Sequence, residues 1–218
     1  MEARSLKRAC GSFMKPAGTD QAASDRASPR TGRPADCLSC RMVAAPSTQP
    51  AQPARRPDAA PAILDIEASG FGRASYPIEV GYVLPDGSSF CSLIRPAGHW
   101  THWDAAAEAV HHIRRETLLE HGRPVRAVAQ WLNEQLRGRT LYSDGWAHDY
   151  PWLGALYEEA GLVPSFRLDN LRALLSEAEA RDWSATRQAV SNELGLTRHR
   201  ASADARLLQR TLLRLRGH

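Results

Sequence analysis

Ile63-Leu64-Asp65-Ile66-Glu67-Ala68-Ser69-Gly70 is the stretch on which the fold of this 218-residue chain turns. In an extended strand successive side chains alternate between faces, so Asp65 and Glu67 share one face while Leu64 and Ile66 share the other. Ile63 precedes the two acids on their own face, and Gly70 marks the strand's end. Two carboxylates side by side repel each other unless something cationic lies between them. Taken alone, the stretch also suits a half-buried strand with a wet acidic face. Further acids downstream, at positions that should face the core, weigh against that reading.

Asp149 is followed by Leu153, Leu156, Tyr157 and Ala160, a helical stripe with the acid at its N-terminal end. Asp204 stands in the same relation to Leu208, Leu212 and Leu215. A helix N-terminus favours an anion by about 0.3–1 kcal/mol. Burying an unpaired carboxylate costs several kcal/mol, so the helix end does not account for these placements. A capping role explains either aspartate singly. Together with Asp65 and Glu67 they point to a bound cation. His199 precedes Asp204 by five positions, which in one helix would set the two about 140° apart. His199 is therefore expected in the loop before the last helix, lying over the site that Asp204 faces.

The formal net charge of +4 is unevenly spread. Residues 1–61 carry ten Lys+Arg against five Asp+Glu, and residues 62–218 carry eighteen against nineteen. Both lysines, Lys7 and Lys15, belong to the first segment. The remainder is nearly neutral, able to hold a nucleic acid end in a cleft but without the broad basic face of a long-duplex binder. Residues 1–61 are rich in Ala, Arg, Ser and Pro without a sustained apolar period, and are expected to form a disordered tail. Cys37 and Cys40 have the spacing of half a zinc site, but that segment offers only Cys10 as a third ligand, and translation could begin at Met42. Four cysteines in a chain of this length do not make a disulfide framework. No run of about 18 apolar residues marks a membrane span, and no apolar signal segment occupies the first thirty residues, so a cytoplasmic location is expected.

From residue 62 onward, the first strand is followed by a hairpin, Pro77–Leu84 and Ser88–Ile94 about the turn Pro85-Asp86-Gly87. A helical region from about Asp104 to Glu120 breaks near Ile113. Val125, Val128, Leu132 and Leu136 define a helix between Pro124 and Gly138. Thr140–Ser143 reads as a short strand, followed by a helix from about His148 to Ala160 that stops at Gly161. Beyond Phe166–Leu175 come a polar helix near Glu177–Leu194 and a final helix from about Ser202 to Leu215. Strands first, then strands alternating with helices, predict an α/β domain with a mixed sheet over residues 62–218.

Asp65-x-Glu67, Asp149-x-x-Trp152-Leu153 and His199-x-x-x-x-Asp204, in that order, resemble the three motifs of the DEDDh-type 3′–5′ exonucleases of the ribonuclease H-like superfamily. Pro77-Ile-Glu-Val-Gly81 is similar to that family's second strand, and Glu108-Ala-Val-His111-His112-Ile113 to a segment often written V-H-G-I. The middle motif departs from the usual H-N-A-x-F-D, reading Asp144-Gly-Trp-Ala-His148-Asp149. Asp149 is preferred over Asp144 as the ligand because Trp152 and Leu153 follow it in phase. The resemblance implies a ribonuclease H-like mixed sheet flanked by helices. It also implies two divalent ions, Mg²⁺ or Mn²⁺, held by Asp65, Glu67, Asp149 and Asp204, with His199 as general base. The implied substrate is the 3′ end of single-stranded DNA or RNA, and the products are nucleoside 5′-monophosphates. Ala68 and Ser69 are candidates to contact the terminal sugar through backbone N–H and hydroxyl, and Trp146 to stack a base. A catalytically silent nucleic-acid-binding or scaffold module of the same fold is the alternative reading.

Overall fold

The chain in order gives β1 (Ala62–Ala68), β2 (Pro77–Val83), β3 (Ser89–Arg95), α1 (Ala105–His111), α2 (Arg115–His121), β4 (Arg123–Pro124) and α3 (Val125–Leu136). It continues with β5 (Thr140–Ser143), α4 (Trp146–Ala160), β6 (Arg167–Asn170), α5 (Glu177–Leu194) and α6 (Ala201–Leu215). These elements come from a computed structural model, which describes residues 60–195 and 199–218. Apart from Ala60 and Pro61, the expected tail, with Cys37, Cys40 and Met42, lies outside the described residues.

The strands form one mixed sheet in the order β4-β3-β2-β1-β5-β6. β2 runs antiparallel to both of its neighbours, β1 and β3, while β5 pairs parallel with β1 and with β6. The α/β class and mixed sheet expected from the sequence are present. α4 begins at Trp146 rather than near His148: Gly145 is its cap, and the Gly145 carbonyl accepts from the N–H groups of His148 and Asp149 at 2.8 and 3.0 Å. β6 was not legible as a strand: of Arg167-Leu-Asp-Asn170 only Leu168 is buried. α5 starts where Ser176 and Glu179 form a reciprocal capping box, and ends at Gly195, whose φ of 53° favours glycine.

Each face of the sheet carries its own apolar layer. On one, Leu64, Ile66, Val80 and Tyr82 pack with Val128, Leu132 and Leu136 of α3 and Leu153, Leu156 and Tyr157 of α4. On the other, Ile63, Val83 and Tyr142 pack with Ala205 and Leu208 of α6. Alternation along β1 therefore puts Asp65 and Glu67 on the α6 side. Each fully buried leucine or isoleucine in these layers contributes about 1.5–3 kcal/mol relative to exposure. No helix among the described residues is long and apolar enough to cross a membrane.

His112 caps α1 in the left-handed region, at φ 56° and ψ 24°, the place where V-H-G-I has glycine. A β-carbon is disfavoured there, so His112→Gly, at an exposed position, is expected to stabilise the fold by about 0.5–1 kcal/mol. Chemical denaturation measures this, and a loss of stability would show that the imidazole makes an interaction outweighing the backbone cost.

Candidate active site

β2 sets the geometry on which the site depends. In its register with β1, Gly81 lies opposite Asp65 and Glu79 opposite Glu67. A β-carbon on Gly81 would fall 2.2 Å from the backbone nitrogen of Ser202 and 2.5 Å from the carbonyl carbon of Ala201. The first turn of α6 thus rests on glycine's bare backbone, close above the acids of β1. Asp204, in that turn, is 7% exposed, and its Oδ2 accepts from the backbone N–H of His199 at 2.7 Å. Ligand atoms of Glu67, His199 and Asp204 all lie within 4.8 Å of one another.

The fourth acid arrives from the other neighbour of β1. β5 runs parallel to it, so the helix that follows β5 begins at the end of the sheet where β1 finishes. Asp149 lies in the first turn of α4, 3% exposed, and the Ser143 hydroxyl at the end of β5 donates to its Oδ2. Gly145 leaves room for it, since a β-carbon there would stand 3.2 Å from the same oxygen. Asp144 lies in the loop and pairs with Arg187 of α5 at 3.3 Å.

Crowding and burial perturb these groups strongly. Burial raises the pKa of Asp65 well above the usual carboxylate range, and the charges of Asp149, Glu67, Asp204 and Asp144 push the same way. Burial lifts Glu67 to about 8, with Asp204, Glu79 and Asp149 adding to the rise and Arg200 opposing it. Burial lifts Asp149 to about 7 against the Ser143 hydroxyl, which favours the ionised form, and Asp144 adds to the rise. Oxygen donors with one imidazole suit a hard divalent cation such as Mg²⁺ or Mn²⁺, and mutual repulsion among the acids is what such a cation relieves. The residues present therefore fit the implied metal.

Each raised group binds its proton more tightly folded than unfolded, where carboxylates titrate near ~4. Its contribution to stability is complete below that range and is lost as pH climbs through about 7 for Asp149 and about 8 for Glu67. In chelator, the protein is expected to melt several degrees lower at pH ~8.5 than at pH ~5.5, and Mn²⁺ is expected to reverse the loss. Melting curves indifferent to both pH and Mn²⁺ would contradict the crowding.

Asp65, Glu67, Asp149, His199 and Asp204 thus come together from β1, α4 and the start of α6. The remaining candidates are placed differently. Ala68 is buried at the end of β1, beside an irregularity in its pairing with β2. Ser69 is fully buried; its hydroxyl accepts from the Tyr76 N–H at 3.1 Å, and its own N–H donates to the Tyr76 carbonyl at 3.0 Å. Both groups of Ser69 thus hold the loop that leads to Tyr76. Trp146 is half-buried at the start of α4, donating to the Leu168 carbonyl at 3.3 Å with its ring 5.2 Å from that of Tyr150.

Features not found from the sequence complete the surroundings. Phe71, 67% exposed, sets its ring 5.3 Å from His148 and 6.1 Å from Trp152, and Tyr150 of α4 is 54% exposed. Glu79 is fully buried and paired with Arg200 at 2.7 Å. An acid inside the apolar run of β2 was the available signal for that pair, but its partner lies 121 positions away.

No family model and no curated protein matches the sequence. Solved structures do match. The exonuclease I of Methylocaldum szegediense aligns with a TM-score of 0.53 at 15% identity, over 71% of this chain and 39% of that one. E. coli exonuclease I in complex with a dA16 oligonucleotide gives 0.54 at 11%, over 71% and 40%. The zinc-bound form of the E. coli enzyme's complex with single-stranded DNA gives 0.53 at 13%, again over 71% and 40%. This chain spans about two fifths of the length of these proteins. Through its six-stranded mixed sheet and flanking helices, it shares the fold of these exonucleases.

Proposed function

We propose that residues 62–218 form a metal-dependent 3′–5′ exonuclease of the DEDDh type, which releases nucleoside 5′-monophosphates from the 3′ ends of single-stranded DNA or RNA. One observation carries the reading: acids from three distant segments converge in one buried site, with His199 within 4.8 Å of Glu67 and Asp204. A binding module has no use for crowded carboxylates where a phosphate must approach. The single-stranded DNA and zinc seen with exonuclease I support the substrate class and the need for a metal.

Asp65, Glu67, Asp149 and Asp204 would hold two divalent ions, Mg²⁺ or Mn²⁺. When bound, these supply Lewis-acid stabilisation of the attacking and leaving oxygens of an in-line displacement. A ring nitrogen of His199 takes the proton from the attacking water, a role worth about 10²–10⁴-fold. Ser143 orients Asp149. The exposed rings of Phe71 and Tyr150 offer faces on which unpaired bases stack. The Trp146 ring lies 5.2 Å from that of Tyr150.

The test is an end-labelled single-stranded oligonucleotide with Mg²⁺ or Mn²⁺, resolved for mononucleotide products. The expected result is stepwise shortening from the 3′ end, abolished by chelator and slowed about 10²–10⁴-fold by His199→Ala. The rate is expected to rise from mildly acid to alkaline pH, as a mechanism that takes a proton from water requires. Metal-independent binding without release would instead support a silent nucleic-acid-binding module.

A further inference from the structure

Arg200 and Glu79 lie just outside the proposed catalytic set, and the contacts between them are unusually complete. Glu79 is 0% exposed and stands directly opposite Glu67 on the neighbouring strand. Two carboxylates facing each other across a strand pair repel. The guanidinium of Arg200 meets Glu79 as a fork, Nη2 at 2.7 Å from Oε1 and Nε at 3.2 and 3.1 Å from the two oxygens. The N–H of Ala201 donates to Glu79 as well, at 3.0 Å. One buried carboxylate thereby fixes the two residues that immediately follow His199.

His199 itself occupies the left-handed region at φ 61°, which a residue with a side chain adopts only when its surroundings impose it. Its neighbours impose it from two sides. Asp204 accepts the His199 N–H at 2.7 Å, and Glu79 secures Arg200 and Ala201. We propose that the Glu79–Arg200 pair is a latch holding the His199 ring toward Glu67 and Asp204, so that both are positioning residues for proton removal; this rests on the nuclease reading above. The fork is specific to arginine, because lysine brings a point charge without two parallel donors.

Arg200→Lys in the full chain tests it. Expected are a kcat about 10–100-fold lower with KM within about threefold, and no further loss when Arg200→Lys is added to His199→Ala. The ¹H–¹³C ring resonance of His199, identified by its absence in His199→Ala, is expected to shift toward the position of a freely rotating imidazole. Wild-type kcat with an unmoved resonance would overturn the latch, as would a double variant falling by the product of the single losses. If Arg200→Lys fails to fold, Glu79→Gln, which keeps the buried shape, is read by the same two measures. Should the parent chain release no nucleotide, the nuclease reading fails on its own. The resonance then decides the latch, an unmoved signal overturning it and a shifted one supporting it.

Discussion

Asp65→Asn is expected to abolish nucleotide release while making the metal-free protein harder to melt. Asp65 is the acid on which most of the site's negative charge bears, with Asp149, Glu67, Asp204 and Asp144 all opposing its ionisation on top of burial. An amide keeps its shape and removes its charge, so repulsion that no side chain fully offsets disappears. The gain is on the order of 2 kcal/mol after relaxation, and for a domain of this size each kcal/mol moves the midpoint by about 2–4 °C. At pH ~8 in chelator, the variant should therefore melt roughly 4–8 °C above the parent. Mn²⁺ should stabilise the parent far more than the variant, because a donor is missing. The expected loss of activity is on the order of 10³-fold or greater. Stability rising as activity falls separates a site built for a cation from a merely acidic surface. On such a surface, neither quantity would respond by more than a small amount.

Gly81→Ala should act through geometry alone. The added carbon would meet backbone atoms of Ala201 and Ser202 at 2.2–2.7 Å, and backbone, unlike the tip of a flexible side chain, cannot step aside without moving its helix. Overpacking of this kind costs about 1–3 kcal/mol, so the midpoint should fall by roughly 2–12 °C. Displacing α6 also carries Asp204 away from Glu67, so Mn²⁺-dependent stabilisation and nucleotide release should both drop. Gly154→Ala is the control. It lies exposed within α4 with nothing inside 4 Å of the added carbon, and should stabilise by about 0.5–1 kcal/mol. Equal effects of the two substitutions would mean that α6 does not depend on Gly81 for its seat.

Much of this was legible beforehand, for identifiable reasons. Thr140–Ser143 and Glu177–Leu194 are bounded by strong signals, Gly138 on one side and the Ser176 cap and Gly195 on the other, and they fall where the sequence puts them. Asp149 and Asp204 could be placed on buried stripes because leucines follow each at helical spacing, and both are buried. β6 could not be seen, because three of its four residues are exposed or polar and only its pairing with β5 makes it a strand. The bonding of Ser69 depends on Tyr76, beyond a loop of six residues, and no local pattern announces it. Glu79 stood in plain view as an acid within an apolar strand, but its meaning rests on an arginine brought to it only by the completed sheet and last helix.

The three origins of the acids have a consequence for how activity can arise. Asp65 and Glu67 belong to the central strand, Asp149 to a helix following the parallel neighbour, and Asp204 to the helix docked on Gly81. A polypeptide interrupted anywhere between the second and third of these carries an incomplete set, and so does one whose closing helix has come undone. On the proposed reading, competence to cut would belong to the finished tertiary structure and to no single fragment.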